Sequence, residues 1–153
     1  MTAVNYNDLR NAILSLTEGE HDAVALMATV ACEVHNSDER FDWTGFYRVT
    51  EPNILKIGPY QGGHGCLVIP FSRGVCGAAA REEKVQLVAD VEEFVGHIAC
   101  ASSTRSELVI PVKNAAGRLL GVFDIDSDQP AAFTQNDANE LSSLLTLVFA
   151  NAS

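Results

Sequence analysis

Four cysteines occur in the 153 residues, yet no C-x-x-C pair does, so a zinc ribbon and a thioredoxin-type motif are both absent. Positive charge is scarce: 10 Lys and Arg stand against 20 Asp and Glu, for a formal charge of −10. That balance repels a phosphate backbone and an anionic leaflet, and so argues against nucleic acid and membrane surfaces as partners. Long apolar runs are also missing. The longest near the start, Ala23 to Cys32, is about half the ~20 residues needed to span a bilayer and is interrupted by Thr29. No basic segment precedes an apolar one, the first positive charge being Arg10, so a cytoplasmic location with reduced thiols is expected. Neither G-x-G-x-x-G nor G-x-x-x-x-G-K-[ST] is present, and Gly62-Gly-His-Gly65 fits neither; a G-x-S-x-G elbow is lacking too. Asp124-Ile-Asp126-Ser-Asp128 has the alternating acids of a calcium loop without its sixth-position Gly or twelfth-position Glu.

What remains is a chain with 47% apolar and 20% charged residues, enough to pack a core and too apolar for disorder. The length suits one domain over 1–153, with no room expected for an output module. Helical signals fill 1–36: Asn7-Asp8 can cap a first segment, and Glu20 to His35 is apolar on most sides, with Cys32 expected in the core. Sheet and loops occupy 41–127. Trp43 to Thr50 and Ile54 to Ile57 read as a hairpin across Glu51-Pro-Asn53, then Tyr60 to Gly65 is a glycine-rich loop and Cys66 to Phe71 is extended. Gly74 to Glu83 is helix-compatible and Val85 to Ala89 is a short strand. A second hairpin joins Glu107–Val112 to Leu119–Ile125, apolar on both faces and therefore central. Thr134, with Asp137 in the next turn, caps a last helix over 134–152. Hairpin links between strands predict an α+β fold with an antiparallel sheet flanked by terminal helices.

A four-residue loop in the second hairpin pairs Lys113 with Arg118 and hence Glu107 with Asp124. Side chains two apart share a face, so Asp126 joins them while Phe123 and Ile125 face the other layer. Three facing acids are destabilising unless they bind a cation, bind an ammonium group or hold a proton; a solvated strand end is the plain alternative. The cysteines fall at spacings of 34, 10 and 24. A small buried hydrophobe is the commonest fate of a cysteine. Cys66, Cys76 and Cys100, however, lie beside glycine, histidine or loop residues, where a thiol is open to reaction. His64, Cys66, His97 and Cys100 also make an atypically spaced candidate zinc quartet.

Taken together, Trp43-Thr-Gly-Phe-Tyr47, Ile69-Pro-Phe-Ser-Arg-Gly-Val-Cys-Gly77, Gly96-His-Ile-Ala-Cys100, Ser106-Glu-Leu-Val-Ile-Pro111 and Gly121-Val-Phe-Asp-Ile-Asp-Ser127 resemble the free methionine-(R)-sulfoxide reductases, enzymes with a GAF fold. The resemblance runs from about Trp43 to the last helix. It implies a GAF-like six-stranded antiparallel sheet and reduction of free methionine-(R)-sulfoxide by thioredoxin or a similar dithiol. No metal or organic cofactor is implied. By motif match Cys100 is the nucleophile and Cys66 the resolving cysteine that forms a disulfide with it, with Cys76 an alternative resolving thiol. Trp43 and Tyr47 shape the substrate pocket, and Glu107, Asp124 and Asp126 match its acids. A homodimer is a further candidate assembly. The chain departs from the family at Ala101, where an acid often follows the nucleophile, and at Val95, where Pro often stands.

The chemistry agrees. A thiolate attacks the sulfoxide sulfur, and the departing oxygen must be protonated. A carboxyl within a like-charged trio keeps its proton near neutrality and can act as the acid, an effect usually worth ~10²–10⁴ in rate. The ionised members can hold the free ammonium, which a peptide-bound methionine lacks. Trp43 offers the S-methyl group an aromatic wall. Cys100 is left as a sulfenic acid that Cys66 condenses with. His97, Arg105 or the ammonium must offset the effect of nearby acids on the Cys100 thiol. A GAF module that senses a small amino-acid-like or nucleotide ligand without turnover is the alternative from another class.

Overall fold

The computed structural model describes residues 4–100 and 102–153. Chain order is α1 (Tyr6–Leu16), α2 (Ala23–His35), β1 (Trp43–Glu51), β2 (Ile54–Gln61), β3 (Val68–Pro70), α3 (Gly74–Glu82), β4 (Gln86–Val88), β5 (Ser106–Lys113), β6 (Leu119–Ser127) and α4 (Gln135–Val148), with a 3-10 turn at Val91–Glu93. The strands form one antiparallel sheet in the order β3-β2-β1-β6-β5-β4. The second hairpin is therefore central, as its two apolar faces require. No helix of the described residues is long and apolar enough to cross a membrane.

Side-chain caps set the helix starts. Asn5 accepts from the Asp8 N–H at 3.1 Å, so α1 begins before the expected Asn7-Asp8 cap. Asp22 accepts from the Ala25 N–H at 2.9 Å, which moves the start of α2 from Glu20 to Ala23. Its buried stripe is Leu26, Met27, Val30, Ala31 and Val34. Cys32 lies off that stripe and is only partly buried, with Asn36 Nδ2 3.8 Å from its Sγ, so the expected core placement does not hold. Thr134 caps α4 as expected, and its backbone N–H donates back to Asp137 at 2.8 Å.

Period-two alternation divides the sheet between two cores. Phe46, Leu108, Ile110, Phe123 and Ile125 face α1, α2 and α4, with the Phe46 ring 4.6 Å from Phe123 and 5.7 Å from Phe149. Trp43, Tyr47, Val109 and Val122 face α3, whose Val75, Cys76, Ala79 and Ala80 complete the second core. A Cβ on Gly77 would come within 2.8 Å of the Pro70 carbonyl, so only glycine lets α3 lie this close to the end of β3.

The register of the second hairpin differs from expectation by two residues. Glu107 pairs with Asp126 and Val109 with Asp124: Lys113 lies opposite Leu119, one residue beyond the expected Arg118, and an irregularity between Val112 and Lys113 adds the second. The turn is held by Asn114, whose side-chain oxygen accepts from the N–H groups of Ala116 and Arg118. An even slip keeps every side chain on its face, so the three acids still converge. The first hairpin is longer than expected: β2 runs to Gln61, since Gly45 and Thr44 pair with Tyr60 and Gln61.

Candidate active site

Two loops meet over the acidic face of the sheet. The one after β2 carries Cys66, and the one before β5 carries Cys100; a disulfide joins them with Cα atoms 5.2 Å apart. The Trp43 indole N–H donates to the Gly63 carbonyl at 2.7 Å and so anchors the first loop. Trp43 is itself stacked between Tyr47 and Tyr60, with centroids at 5.8 and 5.3 Å. Gly65 lies against this stack: a Cβ there would sit 2.9 Å from Tyr47 Oη and 3.0 Å from the indole. The second loop docks on the start of α3, where the Gly74 N–H donates to the Gly96 carbonyl at 3.0 Å.

Beneath the bridge lies a small cavity of about 30 Å³, lined by Cys100, His97, Cys76, Glu107 and Asp126 among others. Glu107 and Asp124 are buried, and Asp126 is partly so. Asp124 Oδ1 and Asp126 Oδ1 are shielded from solvent and have no hydrogen-bond partner. Burial, reinforced by the charges of Asp126 and Glu107, holds the Asp124 carboxyl well above the usual range. Burial and the Glu107 charge do the same to Asp126. Glu107 is also raised by burial, with the Asp124 carboxyl and the His97 ring opposing the shift; His97 Nε2 is 4.0 Å from Glu107 Oε1. The site is thus a proton-holding cluster under the Cys66–Cys100 disulfide, and its orphaned oxygens can accept from a cationic ligand.

Of the residues singled out from the sequence, the three cysteines Cys66, Cys76 and Cys100, the rings of Trp43 and Tyr47, and the three acids are brought to one side of the sheet, and His64 is not. Cys76 is not an accessible loop thiol: it is 4% exposed on α3, with Sγ 3.9 Å from Glu107 Oε2. Burial and the charges of Asp124 and Glu107 push its thiol well up, away from the thiolate form. Trp43 and Tyr47 lie on the acidic face, Trp43 opposite Asp126 on β6, but neither borders the small cavity while the disulfide is closed. Tyr47 feels the acids nonetheless, burial and then the Asp124 charge raising its phenol. The zinc quartet of His64, Cys66, His97 and Cys100 does not assemble: both sulfurs are spent in the disulfide and His64 is exposed. Val95 is 94% exposed, away from the cavity lining, and Ala101 lies outside the described residues. Sequence reasoning missed Tyr60 and the backbone of Gly63 as supports of Trp43. The signal for Tyr60 was its place opposite Gly45 on the first hairpin, where a Cβ would collide with the Tyr60 Cβ and with the Trp43 indole.

Fold and site define a GAF-domain protein: the model for the GAF domain matches residues 17–149. The chain is 39% identical over 142 residues to the free methionine-R-sulfoxide reductase of Escherichia coli (strain K12), covering 92% of this chain and 84% of that one. Its structure matches fRMsr of Staphylococcus aureus, solved as a complex with substrate, with a TM-score of 0.92, 34% identity, and coverage of 100% and 99%. The free methionine-R-sulfoxide reductase from Neisseria meningitidis, also in complex with its substrate, matches with a TM-score of 0.89 at 37% identity, covering 97% and 91%. The chain belongs to the free methionine-R-sulfoxide reductase family, a family of oxidoreductases.

Proposed function

We propose that this protein reduces free methionine-R-sulfoxide to methionine, with Cys100 as nucleophile, Cys66 as resolving thiol and thioredoxin or a similar dithiol as reductant. The observation that carries this reading is the Cys66–Cys100 bridge on the wall of a cavity that also holds Glu107 and Asp126. The Cys100 thiolate attacks the sulfoxide sulfur while a protonated carboxyl of the trio donates to the oxygen. The substrate sulfur is reduced to a thioether, and the oxygen ends on Cys100 as a sulfenic acid. Cys66 then attacks the Cys100 sulfur, an S–S bond forms and water leaves. A dithiol restores both thiols by exchange, becoming a disulfide itself.

The acids supply two functions because they cannot all ionise together. The member that keeps its proton serves as general acid. The orphaned oxygens of Asp124 and Asp126 accept from the substrate ammonium, whose charge replaces the missing compensation. Trp43 and Tyr47 wall the pocket around the thioether end once the bridge is reduced and the cavity widens, because about 30 Å³ holds only one or two waters. The existing bridge supports Cys66 as the resolving partner, and the raised thiol of Cys76, buried against Glu107, makes it the poorer nucleophile of the two.

Racemic free methionine sulfoxide incubated with the protein and a dithiol should lose only its R epimer, and the N-acetylated sulfoxide should be inert. Equal consumption of both epimers, or turnover of the N-acetyl compound, refutes the reading. Thioredoxin with its reductase should replace the small dithiol, and light scattering decides whether two copies assemble. Saturable binding of the sulfoxide with no turnover would instead favour a sensing module.

A further inference from the structure

Cys76 is the buried nucleophilic group for which the proposed reaction has no use. Its sulfur, a Glu107 oxygen and an Asp124 oxygen all lie within 4.8 Å of one another, and all three side chains are buried. His97 borders the same cavity with 19% of its side chain exposed and its Nε2 4.0 Å from Glu107 Oε1. Asp124, 4% exposed, still has one oxygen that nothing satisfies. An ammonium group accounts for carboxylates but gains little from a sulfur or an imidazole. A thiol, an imidazole and two carboxylates are the donor set of a borderline-soft divalent cation, which takes sulfur at ~2.3 Å and nitrogen or oxygen at ~2.0–2.2 Å. Cys76, Glu107 and His97 line the cavity of about 30 Å³, which suits an ion with a water and not an amino acid, and Asp124 stands behind that wall within reach of the first two.

We infer that the disulfide-linked protein carries a site for a divalent cation of the zinc type, held by Cys76 Sγ, Glu107 and Asp124 with His97 at its mouth. Small rotations of the three buried side chains bring their donors to bonding distance of one ion. Binding displaces the Cys76 proton and leaves a thiolate on the metal. Because the ion takes Asp124, one of the two carboxyls that would hold the substrate ammonium, the two exclude one another. That last clause rests on the reductase reading; the site itself does not. The ion is an occupant of the resting pocket and takes no part in sulfoxide reduction.

Cobalt(II) is the probe, added to the disulfide-linked protein with zinc as competitor. One cobalt per chain should bind, with a thiolate-to-cobalt charge-transfer band that zinc abolishes. Cys76→Ser should remove the band, Glu107→Gln should weaken binding at least tenfold, and Cys32→Ser and His64→Ala should leave both unchanged. No cobalt binding, a band that survives Cys76→Ser, or a band lost in Cys32→Ser overturns the site. Near-ultraviolet circular dichroism of each variant establishes that it is folded, and Glu107→Gln decides if Cys76→Ser is not. In a Cys66→Ser/Cys100→Ser protein, excess free methionine sulfoxide should expel the cobalt. Retention of the metal there overturns the exclusion while leaving the cobalt site, and the turnover assay of metal-free parent judges the reductase reading separately.

Discussion

Replacing Asp124 by Asn should stabilise the protein at pH 8 while destroying its activity. The carboxyl is 4% exposed, faces two further acids and has one oxygen without a partner. An unpartnered buried polar group costs ~1–3 kcal/mol, and more when charged. Asn keeps the shape and removes the charge, so about 2 kcal/mol returns at alkaline pH, or roughly 4–8 °C in Tm for a domain of this size. The sign follows from proton linkage. Asp124 ionises near 3.8 in the unfolded chain and well above that when folded, so the folded state binds the extra proton. Stability therefore falls as pH rises from that value towards the folded pKa, by about 1.36 kcal/mol per pH unit while one such group titrates. Asp126 and Glu107 act in the same direction. Asp38 and Asp137 act oppositely: burial would raise them, but hydrogen bonds and charge from Arg40 outweigh it and hold both below 3.8. Their contribution is complete above that value and is lost below it. Parent stability should consequently peak at about pH 4–5 and decline on both sides. Differential scanning calorimetry from pH 3 to 9, on parent and variant with the disulfide intact, reads this directly. An Asn variant less stable than the parent at pH 8, or a parent whose Tm rises steadily from pH 5 to 8, refutes the reasoning.

Cys100→Ser should abolish turnover, whereas Cys66→Ser should still complete one stoichiometric reduction before stalling; rapid-quench product counts separate the two. Unfolding the oxidised parent without reductant should expose two free thiols, those of Cys32 and Cys76, and a count of four would refute the bridge. Arg40→Met leaves Asp38 and Asp137, with side chains 1% and 5% exposed, without their cation. A loss of ~3–5 kcal/mol is expected, with KM unchanged because this cluster ties α4 to the connector before β1 and not to the acidic face; parent-like unfolding would sink that account. Gly65→Ala forces a Cβ to 2.9 Å from Tyr47 Oη and should displace the Cys66 loop, slowing disulfide formation roughly tenfold or more with little change in Tm. Stopped-flow resolution at the parental rate would show that the loop accommodates it.

The acidic face was legible because it depends only on local alternation. Asp124 and Asp126 must share a side of any strand, and Phe123 and Ile125 the other, whatever the register. The register itself was not legible, since an irregularity at Val112 and Lys113 depends on how the Asn114 turn closes. The misplacement was harmless because a slip of two preserves the face. Likewise the Thr134 cap and the two hairpins rest on short-range chemistry that the residues carry with them. The family resemblance supplied the pairing of Cys66 with Cys100, which no spacing of 34 residues could specify.

Burial and compensation belong to the tertiary structure alone. A sequence shows that Cys76 sits among glycines and alanines, but only the packing of α3 onto Val109 and Val122 makes it an enclosed thiol against Glu107. The stacking of Trp43 between Tyr47 and Tyr60 depends on two strands meeting across Gly45. Three carboxylates in a row are an ordinary strand end in water. They become a cluster that holds protons because α3 and two loops exclude water from them with only the His97 ring near one of the three, and desolvation is a property of neighbours that no local pattern encodes.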